Sequence, residues 1–367
     1  MIGVGRIERY VLGRTMTSVA SALAVIVAVI ALVQFVDLSR TVGVRADTGA
    51  AQLLWLTLLR CPAIVLVLMP FVFLFGGIAA FVNLNRSSEL VAMRAAGISA
   101  WRFILPGAGA AFLIGVATVT VLNPIASTLN ARYEAERGQL MDAATAYAPK
   151  EVWLRQGDDR NQIVIHAKGR ATVNGVVRLR SVTLFIYQKN DRGVPEFKRR
   201  LEAGEATLLP GFWRLTDVRE AGAGENSVHS DTMSIRSSLD AEAAMERFAS
   251  PEAIAFWRLP TAIRLTELAG FSAAGYRLRY QQLLASPLLF AAMSILAAAF
   301  SLRLSRLGGL AGLAGTGVTL GFVFFFFNEF SGALADADII PLYAAAWGPP
   351  LVALLSGLTL LCYTEDG

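Results

Sequence analysis

The sequence predicts an α-helical polytopic membrane protein: six transmembrane helices in a 3+3 arrangement around one inserted, all-β, jellyroll-like domain. Three observations predict it. Of 367 residues, 55% are hydrophobic and only 17% charged, a low charged share for a soluble domain. Long apolar runs nearly free of charge alternate with short polar loops. Between Asn130 and Glu267 the charges return, and the apolar residues there fall in short strand-like runs.

The apolar runs cover about 15–36, 55–82, 103–124, 278–301, 308–332 and 340–362. At about 1.5 Å per helical residue, each crosses a hydrocarbon core of about 30 Å. The first follows Arg6, Arg9 and Arg14. It is too long for a signal peptide and lacks a small-residue cleavage site, so it reads as a retained span. Pro62, Pro70 and Pro287 lie within the second and fourth runs and predict kinks there. The fifth run is rich in small residues, including Gly308, Gly309, Gly312, Gly315, Gly317 and Gly321, and is a candidate for a close helix contact. The predicted units are residues 1–124 with three spans, 125–275 with the β domain and its flanking helices, and 276–367 with three further spans.

Orientation follows from arginine in the short loops. Arg6, Arg9, Arg14, Arg86, Arg94, Arg102, Arg303 and Arg306 would share one side; the other holds Arg40, Arg45 and Asp47, then Asp336 and Asp338. The positive-inside bias places both termini in the cytoplasm and the insertion outside, in the periplasm of a Gram-negative cell. Arg277 and Arg279 run against the bias, but long loops are largely exempt from it.

Inside the insertion, Asn130–Leu140 continues the third span as helix. Strand-like runs follow at Val152–Leu154, Gln162–His166, Val182–Tyr187 and Phe212–Val218. Turn chemistry separates them at Asp158-Asp159, Asn174-Gly175, Asn190–Gly193 and Pro210-Gly211. Short antiparallel strands of this kind build a sandwich, a jelly roll or an open barrel, and leave strand order undetermined. Ser250-Pro251-Glu252 has the residues of a helix start, leading through Leu259 towards Gly270.

The segment Asn85–Ser99 is a short helix signal caught between two spans. Ser87 or Ser88 serves as cap, Glu89 lies in the first turn, Arg94 in the last, and Gly97 supplies the left-handed stop. Far too short to cross the bilayer, it must lie on the membrane surface. There it serves either as a docking element for a soluble partner or as a plain interfacial connector.

Catalytic signatures are missing. There is no Walker A loop, no G-x-S-x-G elbow and no H-E-x-x-H. With two histidines, His166 and His229, and two cysteines, Cys61 and Cys362, neither a metal site nor a disulfide framework is expected. No basic run interleaved with aromatics points to nucleic acid. No cofactor of its own is expected, and any ATP and magnesium would be bound by another chain.

Polar residues in the spans supply the candidate substrate contacts. Gln34, Asp37 and Arg40 form a stripe at the outer end of the first span, where Asp37 and Arg40 are expected to pair with each other. Phe327, Asn328 and Glu329 lie near the outer end of the fifth, either facing a cavity or snorkelling to the interface. Arg60, Arg277 and Arg279 add cations around the same mouth, and guanidinium suits a lipid phosphate.

With these residues in place, the chain resembles the LptF/LptG permeases of lipopolysaccharide export, and their LptG branch more than LptF. The resemblance spans the whole chain. It rests most on Arg86–Gly97 (RSSELVAMRAAG), with Phe35-Val36-Asp37, Gly321–Phe324 and the β-rich insertion between spans three and four. It implies the membrane subunit of an ABC transporter, not an enzyme, paired with an LptF-like paralogue over two copies of an LptB-like ATPase. The segment carrying Ser88, Glu89, Leu90, Met93, Arg94 and Gly97 would insert into that ATPase, with Glu89 making a polar contact. The first and fifth spans would form lateral gates for lipopolysaccharide, and the β domain would pass it to LptC- and LptA-like bridge proteins. In relatives, basic residues at the end of the first span contact lipid phosphates. The matching positions here are Gln34, Arg40 and Thr41, of which only Arg40 is charged. The alternatives are a membrane-anchored envelope scaffold without transport activity, and another ABC permease with a periplasmic domain. The mechanotransmission type places its large domain after the first span, against the 3+3 pattern.

Overall fold

The computed structural model describes residues 5–43, 49–140, 152–157, 161–173, 176–189, 195–222, 227–237, 253–268, 272–304 and 310–365. Helix α1 (Arg6–Leu38) ends in a π turn (Ser39–Gly43). It is followed by α2 (Ala50–Arg86), α3 (Glu89–Ala95) and α4 (Ala100–Ala117). A second π turn (Thr118–Leu122) joins α4 to α5 (Asn123–Leu140). Strands β1 (Val152–Gly157), β2 (Asn161–Val173), β3 (Val176–Lys189), β4 (Pro195–Leu209), β5 (Phe212–Gly222) and β6 (Val228–Arg236) come next. After a 3-10 turn (Phe256–Arg258), α6 (Leu259–Leu268), α7 (Ala274–Leu304), α8 (Leu310–Asp336) and α9 (Leu342–Glu365) complete the chain. The predicted helix start at Ser250–Glu252 lies outside the described residues.

Among the described residues, six helical segments are long and apolar enough to span a bilayer: α1, α2, α4 continued by α5, α7, α8 and α9. Helix α7 is the most enclosed, packing on α9, α4 and α2, whereas α1 and α8 are the most exposed. At one end of the bundle, Val11, Phe81, Leu84, Leu90, Phe103 and Leu361 share a core, which brings both ends of the chain and α3 to the same face. At the opposite end, Leu38, Leu53, Leu56 and Leu59 close around the fully buried Tyr133 of α5.

The tightest helix crossings rely on glycine. A Cβ on Gly76 would lie 2.6 Å from Val19 Cα, and one on Gly115 would lie 2.5 Å from Pro287 Cα. No side chain fits at either place, so the backbones of α1 and α2, and of α4 and α7, approach as closely as membrane helices do through small residues. The fifth-span glycines contribute less. Gly317 packs on Ile78 and Gly321 on Phe71 and Phe75, Gly315 has nothing within 4 Å, and Gly308 and Gly309 lie outside the described residues.

The insertion is a six-stranded antiparallel sheet in the order β1-β2-β3-β4-β5-β6, so every strand pairs with its neighbour in sequence. Its core is made of its own side chains, among them Ile165, Leu179, Leu184, Leu201, Trp213 and Leu215. A single sheet buries such a cluster by bending over it, and two features show how. Across β3, β4 and β5 the alternation of buried residues slips by one at the same row. Val177 and Leu179 give way to Val182 and Leu184, Leu201 and Ala203 to Ala206 and Leu208, and Trp213 and Leu215 to Val218. The residues in that row are Ser181, Gly204 and Asp217, with Ser181 at φ 49° and Asp217 at φ 53°. Left-handed residues at two of these three positions re-aim the strands while the pairing stays in step, Arg180 opposite Glu205 and Val182 opposite Ala203, and so crease the sheet. The second feature is Gln156 of β1. Its Oε1 accepts from Trp213 Nε1 of β5 at 3.2 Å and from Ser237 Oγ at 2.9 Å, so the first strand is tied to the far end of the sheet.

Candidate functional site

Helix α3 sits in the seam between α2 and α4, and its ends are fixed locally. The expected serine cap does not form. Ser88 occupies the cap position in the left-handed conformation, at φ 60°, without a side-chain hydrogen bond. Ser87 Oγ instead donates back to the carbonyls of Asn83 and Leu84 and closes α2. The reason is spacing: with so few residues between the helices, the chain must reverse sharply, and that turn removes the hydroxyl from the first-turn amides. The other end follows the prediction. Gly97, at φ 74°, donates its N–H to Arg94 O at 2.9 Å and Ile98 donates to Met93 O at 3.1 Å, a Schellman stop with both reciprocal bonds.

The two faces of α3 differ. Leu90 is 3% exposed and packs with Val11, Phe81, Leu84 and Phe103, joined by Met93 and Ile98. Val91 is 60% exposed, and Ser88, Ala92 and Ala95 share its open side. Of the predicted residues, Leu90 and Met93 therefore anchor the helix to the bundle, while Ser88 and Gly97 lie at the surface. Glu89 and Arg94 are half-buried at the boundary. Glu89 Oε2 is buried and has no hydrogen-bond partner among the described residues. The sequence reading missed Val91, Ala92 and Ala95. Their signal was available in the helical period: with Leu90 and Met93 turned inward, the opposite face must carry them.

The second candidate group is split. Gln34, Asp37 and Arg40 lie at the end of α1, which packs on α2 and α4; Phe327, Asn328 and Glu329 lie on α8, which packs on α9, α7 and α2. Gln34 Oε1 is buried without a partner among the described residues, while Asp37, Arg40, Phe327 and Glu329 are exposed and Asn328 is half-buried. The expected Asp37–Arg40 ion pair is not formed among the described residues. The π turn that begins at Ser39 rewinds the chain between them. Arg60 is engaged as well. Its Nη1 donates to Tyr133 Oη at 2.8 Å and its guanidinium lies over the Tyr133 ring at 5.1 Å, fixing α5 to α2. Arg277 pairs with Glu267. Of the cations proposed to ring this mouth, Arg40 is the exposed one without a described partner.

The segment that follows the sheet docks on the second π turn. Trp257 Nε1 donates to Thr120 O at 3.0 Å, and Asn123 Oδ1 accepts the buried N–H of Phe256 at 2.9 Å. Phe256 also stacks on Tyr280 of α7, with ring centroids 5.4 Å apart.

Among the described residues, a bundle of six helices fit to span a bilayer, with a short helix between the second and third and an antiparallel sheet between the third and fourth, defines a multi-pass membrane protein. The family model for the lipopolysaccharide export system permease LptF/LptG matches residues 9–363, and the chain belongs to that family. Two similar proteins are the lipopolysaccharide export system permease proteins LptG of Escherichia coli strain K12 and of Escherichia coli O6:H1. Each is 22% identical over 97% of this chain and 98% of its own length. Membership makes the chain a permease subunit of the inner membrane.

Proposed function

We propose that this chain extracts lipopolysaccharide from the inner membrane using ATP hydrolysed by a separate subunit, which docks on the open face of α3. One observation carries the reading: a short helix riveted to the bundle by Leu90 while presenting Val91, Ala92 and Ala95 outward. A helix so held transmits a push rather than absorbing it. Its neighbour Glu89, whose side chain is half-buried at the edge of that face, would accept a hydrogen bond from the docked partner. The excess of arginine on the α3 side, in Arg6, Arg9, Arg86 and Arg102, supports a cytoplasmic position for α3 and both termini and a periplasmic one for the sheet.

In this reading the partners are a homodimeric LptB-like ATPase, which binds the ATP and magnesium, an LptF-like paralogue across the cavity, and LptC- and LptA-like bridge proteins. The chain itself holds no cofactor. Extraction exposes acyl chains at about 0.8 kcal/mol per methylene, so external work is required and the chains must stay covered. The exposed apolar flanks of α1 and α8 suit lipid entry from the bilayer, with Arg40 placed for a headgroup phosphate. The creased sheet would receive the lipid next.

The test is reconstitution of the complex in proteoliposomes with lipopolysaccharide. Val91→Arg should abolish copurification of the ATPase, and Glu89→Lys should lower lipid release per ATP, both with the bundle still folded. Normal ATP-dependent release by both variants would sink the docking assignment.

A further inference from the structure

We infer that the Glu8–Arg102 ion pair is the linkage through which displacement of α3 moves the first span. This rests on the proposed function, because it names how work entering at α3 reaches α1.

Arg102 lies in the first turn of α4, directly after the Gly97–Ile98 stop of α3, and its own N–H is held by Ser99 O at 3.1 Å. Any shift of α3 is therefore handed to Arg102 over a stiff, hydrogen-bonded connection. The Arg102 Nε donates to Glu8 Oε1 at 2.8 Å. Glu8 is itself immobilised: its other oxygen accepts the Gly5 N–H at 2.7 Å, fastening the start of α1, where a negative charge also suits the helix dipole. The Glu8 side chain is 16% exposed against 67% for Arg102, so the contact is shielded from the α1 side and reached by solvent from the other.

Beside the pair is a cavity of about 180 Å³ lined by Gly5, Ile7 and Glu8 on one flank and Ile98, Arg102 and Phe103 on the other. Close-packed interiors resist displacement, and here α1 and α4 leave room for it. Helix α1 is also the most exposed span, with much of its surface turned away from the other described helices. A link, a gap and a largely exposed helix coincide at the exit of α3.

A partly exposed ion pair contributes little to stability, which keeps the test clean. In the reconstituted complex, Glu8→Gln or Arg102→Gln should reduce lipid released per ATP by about two- to fivefold, the scale of one such pair. ATPase copurification should be unchanged. The swap Glu8→Arg with Arg102→Glu should restore the ratio. Spin labels at the exposed Tyr10 and Tyr363, both away from the docking face, should report a nucleotide-dependent movement of α1 that Arg102→Gln removes and the swap returns. If the wild-type complex binds the ATPase and releases lipid while the single variants keep its ratio and distance change, the linkage is wrong and the proposed function stands. If the wild type neither binds the ATPase nor releases lipid, the proposed function fails and the linkage with it.

Discussion

Phe256 donates its buried N–H to Asn123 Oδ1 at 2.9 Å, across a separation of 133 residues. The next residue, Trp257, reaches Thr120 O within the π turn of the third span. Two successive residues on the return from the β domain thus grip the joint between α4 and α5, so the segments leading into and out of that domain are clamped together at the bundle.

That clamp orders two substitutions. Asn123→Ala strands a buried donor and should cost about 1–3 kcal/mol, whereas Trp257→Phe removes one exposed hydrogen bond worth about 1 kcal/mol. Thermal unfolding of the detergent-solubilised protein should rank Asn123→Ala as the more damaging; the reverse order would dissolve the argument.

Gln156 should govern the free margins of the sheet. Gln156→Leu leaves the fully buried Trp213 without its indole acceptor, again about 1–3 kcal/mol. Amide exchange should accelerate in β1 and β6, while β3 and β4 keep their protection. Gln156→Glu, which retains an acceptor, should behave closer to wild type.

Two glycines on one helix should respond oppositely. Gly115→Ala drives a methyl into the backbone of Pro287, and should cost about 1–3 kcal/mol through overpacking. Gly109→Ala meets nothing within 4 Å and should be neutral, or gain up to about 1 kcal/mol in helix propensity. Melting temperatures of the pair decide it.

At α3, anchor and stop separate from surface. Leu90→Ala should destabilise the protein by about 2–5 kcal/mol as a core truncation. Gly97→Ala should cost about 1 kcal/mol, because only glycine adopts φ 74° freely. Gly97→Asn should be tolerated better. If Leu90→Ala melts like wild type, the helix is not riveted as described.

Apolar length alone made the spans legible, and the bounds of α3 followed from Glu89, Arg94 and Gly97 because helix-end chemistry is local. Strands β4 and β6 escaped notice for physical reasons. In β4, Lys198, Arg200 and Glu202 occupy the outward positions and Gly204 breaks the period, so no apolar alternation survives. Strand β6 lies at the margin of the sheet, where most of its side chains are exposed. The close-approach role of Gly76 and Gly115 was hidden too, since it depends on which residue of another helix arrives opposite. The same holds for Glu8, whose partner is 94 positions away.

The row formed by Ser181, Gly204 and Asp217 has an evolutionary corollary. Each of these three strands changes the phase of its inward-facing residues there, and they change together while their pairing stays in step. Deleting any one of the three residues alone would turn half of that strand inside out against partners still holding the old phase. Insertions and deletions in this sheet should therefore arise as matched sets across adjacent strands, and relatives should be aligned row by row rather than strand by strand.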